Sequence, residues 1–598
     1  MKTTILITGL SMMLFPVLAH PAARSAGSTV RQINVTDFGA RPNDGKDDSK
    51  AISRAIDFCK SKPGLTLYFP YGQYDLKSAK ALAAWQNMIT SAIPGKERWM
   101  GPPPKGLEGW PADKNVVLKI EDCSDLIIDG NGSLLMVHGL CQPFKIVNCN
   151  NLVVRNFRID YIQPPNMTAK IIGLGEKYID VEVLDNVPVK GGEPFIALQM
   201  YDSATRLPTS TETFAGVKST ELIGPKRLRL NMTNDDRGSG FPHRLTVGNL
   251  LVMRQILGGY EPVEINDGDR ILLENIAIYA GAGMGIVGIG VRDLTLKQVK
   301  IMPEPGTSRL MSITADGTHF IGCRGTVILE NCTIMGEGDD HLNLHGQYHF
   351  ISKIISKRKI EARIGTLSGM GMWNDSWVRG WTSAPGTGES VEFCEKENLN
   401  IMGSAKIDSV EFNNETGKSI ITFDRDIPEN LREEHILQVT EQVPALRVSN
   451  CSFGFGRARG LLITTRDAIV ENCTFDRVGG SPIFVCCEVD WLETPAPANI
   501  KIRNNTFINC GYAVANEGAA ITVLFKQGKK VAGWIKNLEI NDNILSGDIK
   551  AGILAKQADG LLIRNNVFKG FKEAIITAEC KNVTIENNFT GGGKIKYE

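Results

Sequence analysis

Apolar and polar positions alternate in short runs along most of this chain, and an asparagine closes each run. The recurring phrase is apolar-x-apolar-x-Asn-x-x-apolar. It appears as Leu152-Val153-Val154-Arg155-Asn156-Phe157-Arg158-Ile159, then over 271–278 around Asn275, 327–334 around Asn331 and 468–475 around Asn472. The C-terminal part repeats it around Asn504, Asn565 and Asn587. Alternation with a period of two marks a strand with one face in a core. Asn450 to Asn472 is 22 residues, Asn565 to Asn587 is 22, and Asn275 to Gln298 is 23. That period leaves no room for a helical crossover, so each unit is a coil of short strands stacked in parallel on the next. The expected fold class is all-β, a right-handed parallel β-helix.

The repeated Asn suits a corner between strands. It tolerates the left-handed conformation, and its amide both donates and accepts, so stacked asparagines are expected to hydrogen-bond along the column. Five Cys follow such an Asn directly: Cys149, Cys332, Cys451, Cys473 and Cys510. One repeated phrase indicates a repeated inward position, not a disulfide scheme. The ladder is interrupted twice, from Asn156 to Asn275 and from Asn331 to Asn450, each over 119 residues. Strand-like alternation without the Asn phrase, as in Tyr178-Ile179-Asp180-Val181, predicts an inserted antiparallel β module in each gap. The amphipathic stretch 49–60 predicts a helix capping the open end of the solenoid.

The organisation that follows is an N-terminal cap and first coils over 26–160, and a barrel-like insertion over 161–268. Coils over 269–346 come next, then a second insertion over 347–443 and final coils over 444–598. Residues 1–25 read as an export signal: Lys2 precedes an apolar run over 5–18, and small residues follow at Ala19, Ala22 and Ala23. The protein is therefore expected in the periplasm or outside the cell, with no membrane span. Its 66 basic and 66 acidic residues balance, which argues against a nucleic-acid partner.

The densest polar cluster is Asp316-Gly317-Thr318-His319 with Gly338-Asp339-Asp340-His341-Leu342-Asn343-Leu344-His345-Gly346. Asp316 and Asp339 are 23 residues apart, one coil, so their carboxylates should face each other across a stacking distance of roughly 4.8 Å. Side-chain direction can widen this to the roughly 6.5–9.5 Å associated with inverting glycoside hydrolysis. Like charges so close favour one protonated member that serves as acid beside charged bases. Asp316, Asp339 and Asp340 are thus the candidate catalytic groups. A calcium site or solvated turn acids would use the same residues. His319 and His345 flank the cluster, either contacting sugar hydroxyls or orienting an acid, or merely closing a turn. No CxxC or His/Cys spacing suggests a zinc site.

At these residues the chain resembles glycoside hydrolase family 110, the bacterial exo-acting α-1,3-galactosidases. The resemblance rests on Ala315 to Phe320, Cys323-Arg324-Gly325, Glu330-Asn331-Cys332, Gly338-Asp339-Asp340 and Asn343-Leu344-His345-Gly346, and runs from Asp37-Phe38-Gly39-Ala40 to the last coils. A more distant resemblance is to polygalacturonases. What the family implies is removal of terminal α-1,3-linked galactose with inversion, without metal or other cofactor, from blood-group-B-type or linear glycans. Asp339 would be the acid, with Asp316 and Asp340 holding water. Arg457 and Arg459 are candidates to donate to galactose hydroxyls, and Trp491 with Glu493 supplies an aromatic platform and an acceptor. The partner is then a glycan ending in α-galactose, and the inserted modules are candidates for self-association.

Two other readings compete. A polygalacturonase-like hydrolase would need cationic groups for uronates, and its Gly-His-Gly and Arg-Ile-Lys phrases are absent. A non-catalytic carbohydrate-binding β-helix would use the same Trp and Arg residues but has no use for three clustered Asp.

Overall fold

The computed structural model describes residues 31–90, 115–213, 216–232, 245–364, 383–396, 398–413, 416–487, 493–514, 518–525 and 533–598. The expected export segment and Trp491 lie outside the described residues. The alternating runs form parallel strands whose inward residues stack coil on coil. One such column runs Leu126, Leu152, Ile271, Leu294, Val327, Leu446, Ala468, Ile500, Leu538, Leu561. Every member is buried, and each large aliphatic contributes about 1.5–3 kcal/mol relative to exposure. Phe453, Phe475 and Phe507 stack in a second column with ring centroids 5.1 and 4.9 Å apart. The chain is a right-handed parallel β-helix.

The phrase asparagines take the corners in the left-handed conformation, with φ of 61° at Asn156, 52° at Asn275, 56° at Asn472 and 54° at Asn587. The column of side-chain hydrogen bonds runs mainly through the next residue. The Cys332 N–H donates to Cys451 Sγ (3.3 Å), Cys451 N–H to Cys473 Sγ (3.4 Å) and Cys473 N–H to Asn505 Oδ1 (2.9 Å). Asn505, Asn543, Asn566 and Asn588 then continue it by amide contacts of 3.0–3.1 Å. The corner asparagine points outward and the following side chain points in, so a thiol and an amide fill the same place.

Both insertions leave the solenoid and return to the next coil. Asn275 Nδ2 donates to Asn156 Oδ1 at 2.8 Å across the first. The first insertion is one antiparallel sheet in the order Ala197–Tyr201, Leu250–Arg254, Asn166–Gly175, Tyr178–Val183, Arg227–Met232, Val217–Gly224. One face packs its own core, including Met167, Leu198, Leu251 and Met253. The other turns Tyr201, Leu250 and Val252 onto Leu310 and Met311 of the solenoid. In the second insertion Leu342–Ser356, Lys359–Arg363, Lys418–Phe423, Ile401–Asn413, Ser390–Cys394 and Ile436–Val439 pair in that order, and the last returns to the first. This is a closed six-stranded barrel. The helix Ser49–Cys59 buries Ala51, Ile52, Ala55, Ile56 and Cys59 and packs on Val116–Glu121. Among the described residues no helix is long and apolar enough to cross a membrane.

Candidate active site

The strands Thr318–Ile321, Leu342–Ser356 and Leu461–Thr464 are parallel neighbours, with Thr318 opposite Leu342 and Leu342 opposite Leu461. Two residues before each strand stand Asp316, Asp340 and Arg459. A carboxylate, a carboxylate and a guanidinium therefore stack in one column. This corrects the expected register: Asp340, 24 residues on, lies over Asp316, while Asp339 is level with Ala315, whose carbonyl accepts its N–H at 3.2 Å. The ladder fixes the alignment of strands, and turn lengths vary between coils, so a count from acid to acid misplaces one residue. The turns approach backbone to backbone. A Cβ on Gly338 would lie 2.3 Å from Thr314 O, and one on Gly317 would lie 2.5 Å from His341 O.

Asp340 is 2% exposed. Arg459 grips both its oxygens, with Nε to Oδ1 at 3.0 Å and Nη2 to Oδ2 at 2.7 Å, and the Arg459 N–H adds a third donor at 3.0 Å. Burial pushes the Asp340 carboxyl up to about 7; Arg459 opposes this, and the charges of Asp339 and Asp316 reinforce it. Asp340 in turn donates its N–H to Asp316 Oδ1 at 3.2 Å. Asp339 is the most accessible of the three, its side chain 38% exposed, with Arg457 Nη2 3.3 Å from Oδ1. One oxygen from each carboxyl lies within 4.8 Å of the others. These oxygens therefore meet at about the expected stacking distance, without the widening that side-chain direction can add. The spacing alone admits a cation, but Arg459 and Arg457 already bring two positive charges to these carboxylates.

His319 and His345 join the cluster from behind, both buried. His345 Nδ1 meets Gly346 O at 2.6 Å, so that nitrogen donates. Burial, with the nearby His319, pushes His345 down to about 3, so the ring is neutral and its Nε2 accepts. The 3.0 Å contact between the two Nε2 atoms therefore carries a proton on His319. His319 Nδ1 faces Asp316 Oδ2 at 2.6 Å, and these two atoms share one further proton. Glu493 closes the network, accepting from Asn343 Nδ2 at 3.0 Å and lying 3.9 Å from His345 Nε2. Arg457 Nε donates to Gly338 O at 2.6 Å, and its Nη1 donates to Thr211 O in the first insertion. Every described candidate residue thus gathers at one place, with Arg459 held on the Asp340 carboxylate and Arg457 shared between two backbone carbonyls and Asp339.

Four participants were not singled out from sequence. Arg254, on the inserted sheet and 2% exposed, donates from Nη1 to Thr314 O (3.0 Å) and Gly338 O (3.4 Å), tying both carboxylate-bearing turns to that sheet. Burial and the neighbouring Arg457 charge push it down to about 9, so it remains a cation at neutral pH. No local pattern marks an arginine on an insertion as part of a site 60 to 84 residues away. His341 and Asn343 stand within the conspicuous motif itself, and Glu337 directly before it. Only their contacts reveal what they do.

A family model described as rhamnogalacturonase A/epimerase, pectate lyase-like, matches residues 32–83. Along nearly its whole length the chain is similar to proteins named α-1,3-galactosidase. It is 27% identical over 589 residues to α-1,3-galactosidase B of Bacteroides thetaiotaomicron, covering 93% of this chain and 90% of that protein. It is 28% identical over 574 residues to α-1,3-galactosidase A of Bacteroides fragilis, covering 92% and 89%. With α-1,3-galactosidase A of Shewanella woodyi the identity is 26% over 565 residues, covering 91% and 86%. Among solved structures, a Yersinia enterocolitica exopolygalacturonase aligns at TM-score 0.38 and 10% identity, covering 94% of this chain and 79% of that one.

Proposed function

We propose that this chain is an exo-acting glycoside hydrolase that releases terminal α-1,3-linked galactose, with Asp339 as general acid and Asp316 and Asp340 as the base pair that holds water. Its relatives named α-1,3-galactosidase support the substrate class, since they align with more than nine-tenths of the chain. The observation that carries the chemistry is the column of Asp316, Asp340 and Arg459 with Asp339 beside it. The Arg459 fork favours the charged form of Asp340 against the burial that raises it, while Asp316 accepts the Asp340 N–H and faces His319 Nδ1. Asp339, the most exposed, is the member with access to a leaving group.

In the reaction, a water between Asp316 and Asp340 gives up a proton to this pair as its oxygen bonds to the anomeric carbon. The bond from that carbon to the aglycone oxygen breaks, and Asp339 supplies the proton that oxygen needs. Carboxylates whose oxygens are already pinned by a guanidinium and a backbone amide are poor nucleophiles, which favours inversion. The anomer first released, read by proton NMR, decides: β-galactose supports inversion and α-galactose overturns it.

The first test is galactose release from the blood group B trisaccharide, α-1,3-galactobiose and an α-1,4-galactoside, each with and without a chelator. Chelator-insensitive release from the α-1,3 substrates alone is expected. Release from none of them refutes the proposed substrate. The apolar run behind Lys2 supports export, checked by N-terminal sequencing of the mature protein. Self-association through the inserted modules is checked by sedimentation of the chain with and without changes on their surfaces.

A further inference from the structure

We infer that His341 is a positioning residue: held as an imidazolium against Glu337, it staples both ends of the loop 454–460 and thereby keeps the Arg459 fork on Asp340. The inference rests on the function proposed above and assigns a role to two residues that the reaction itself does not touch.

His341 and Glu337 are both fully buried, at 0% exposure, directly behind the turn that presents Asp339 and Asp340. Both ring nitrogens of His341 face acceptors. Nδ1 lies 3.1 Å from Arg459 O and 2.8 Å from Glu337 Oε1, and Nε2 lies 3.3 Å from Gly454 O. A neutral imidazole has one donor and would set a lone pair against one of those carbonyls. Burial works against the charge, but Glu337 and the two carbonyls outweigh it and raise the ring above its ordinary value. The backbone N–H of His341 also meets Arg459 O, at 3.2 Å. The two carbonyls belong to the first residue of the loop and to the residue before its last, so one ring fixes the segment that carries Arg457 and Arg459.

Glu337 shows that the arrangement is more than a turn contact. Among the described residues neither of its oxygens has a hydrogen-bond donor in good geometry, since the Nδ1–H is aimed at Arg459 O. Its carboxylate is there as counter-charge. Breaking a buried pair is costly, yet an apolar pair of similar shape would often serve stability as well or better. What the charge supplies here is a second donor on the ring. The loop is shaped to it: a Cβ on Gly456 would lie 1.9 Å from Glu337 Oε1 and 2.6 Å from His341 Cε1. The other neighbours are the Phe453 ring, edge-on at 5.9 Å, and the Tyr201 hydroxyl, whose ionisation the Glu337 charge opposes. Asp340 itself is faced by Arg459, Asp339 and Asp316.

The experiment compares His341→Gln, Arg459→Met and the double variant by the pH dependence of kcat/KM for galactose release, with melting temperature as a control. Gln keeps one donor and places an acceptor where the second stood. His341→Gln is expected to move the acid limb to higher pH by about one unit, as expected when a charged partner is withdrawn from a carboxyl. Arg459→Met moves it the same way, and the double variant moves it no further than Arg459→Met alone. A lowered melting temperature with an unmoved limb makes His341 structural only and overturns the inference, as does full additivity. Where His341→Gln does not fold, Glu337→Gln removes the counter-charge with little change of shape, and the same limb shift is required. Failure of the wild type on every glycan refutes the proposed function instead. The crystal structure of His341→Gln then decides: a displaced 454–460 loop with Arg459 off Asp340 supports the staple, and an unchanged loop refutes it.

Discussion

Arg459 is the residue at which the electrostatics of the site are most sharply exposed to test. Replacing it with Met keeps an unbranched apolar stem and removes the charge that meets Asp340 at 2.7 and 3.0 Å. An opposite charge at such range lowers a carboxyl by about 1–3 units, and each unit is about 1.4 kcal/mol, so losing it is worth about 1.4–4 kcal/mol. Asp340 already stands at about 7 with the arginine present. Without it the acid limb of kcat/KM is expected about 1–3 units higher. For a shift of two units, the charged fraction at pH 7 falls from about one half to about 1%, roughly a fifty-fold loss, while little is lost above the new limb. The assay is kcat/KM on an α-1,3-galactoside at half-unit steps from pH 5 to about 10. The stability sign follows from the same group. Its folded value lies above the unfolded 3.8, so its favourable contribution is complete below 3.8 and is lost as pH rises through the folded value. The variant extends that window upward and loses more melting temperature near pH 9 than near pH 5. A loss of activity uniform in pH, or a limb moving to lower pH, refutes the reasoning.

Asp339→Asn removes the proposed acid and is expected to lower kcat by about 10²–10⁴, with binding of galactosyl glycans by calorimetry retained; retained turnover moves the acid role elsewhere. Chelation is expected to leave kcat unchanged, and a loss restored by a divalent cation would place a metal among the three carboxylates. Asn543→Ala strands partners at Asn505, Asn566 and Ile502 O, so a stability loss of about 3–9 kcal/mol in urea unfolding is expected from about 1–3 for each of the three stranded groups.

The solenoid was legible because its signal is repeated: the alternation, the corner Asn and the 22- to 23-residue period each recur. The inward place of the Cys was legible too; what the repeat did not tell was that the column of hydrogen bonds runs mainly through that inward residue and not through the corner Asn. The carboxylate cluster was legible as a group, and its register was not. Asp316 pairs with Asp340 because the strand ladder sets alignment while the turn 336–340 has its own length. Arg254 and the staple of His341 were out of reach of sequence reasoning, because their roles rest on contacts to backbone carbonyls, and a carbonyl leaves no mark in residue identity. Arg457 and Arg459 were visible as charges near the site, but the carboxylate partners that occupy them depend on the coil stacking.

The second insertion also dictates an order of assembly. Asp340 and Arg459 are 119 residues apart, whereas ordinary neighbouring coils close over 22 or 23. Closing the longer segment as free chain costs about 1.5 kcal/mol more in loop entropy. A barrel that folds first brings its own ends together and removes that difference, after which the solenoid propagates across the gap. The Asp340–Arg459 contact then forms after the barrel, and in pulse-labelled hydrogen exchange the barrel amides should gain protection before those of 454–460. A nascent or refolding chain would in this way possess most of its coils before it possesses the proposed catalytic centre.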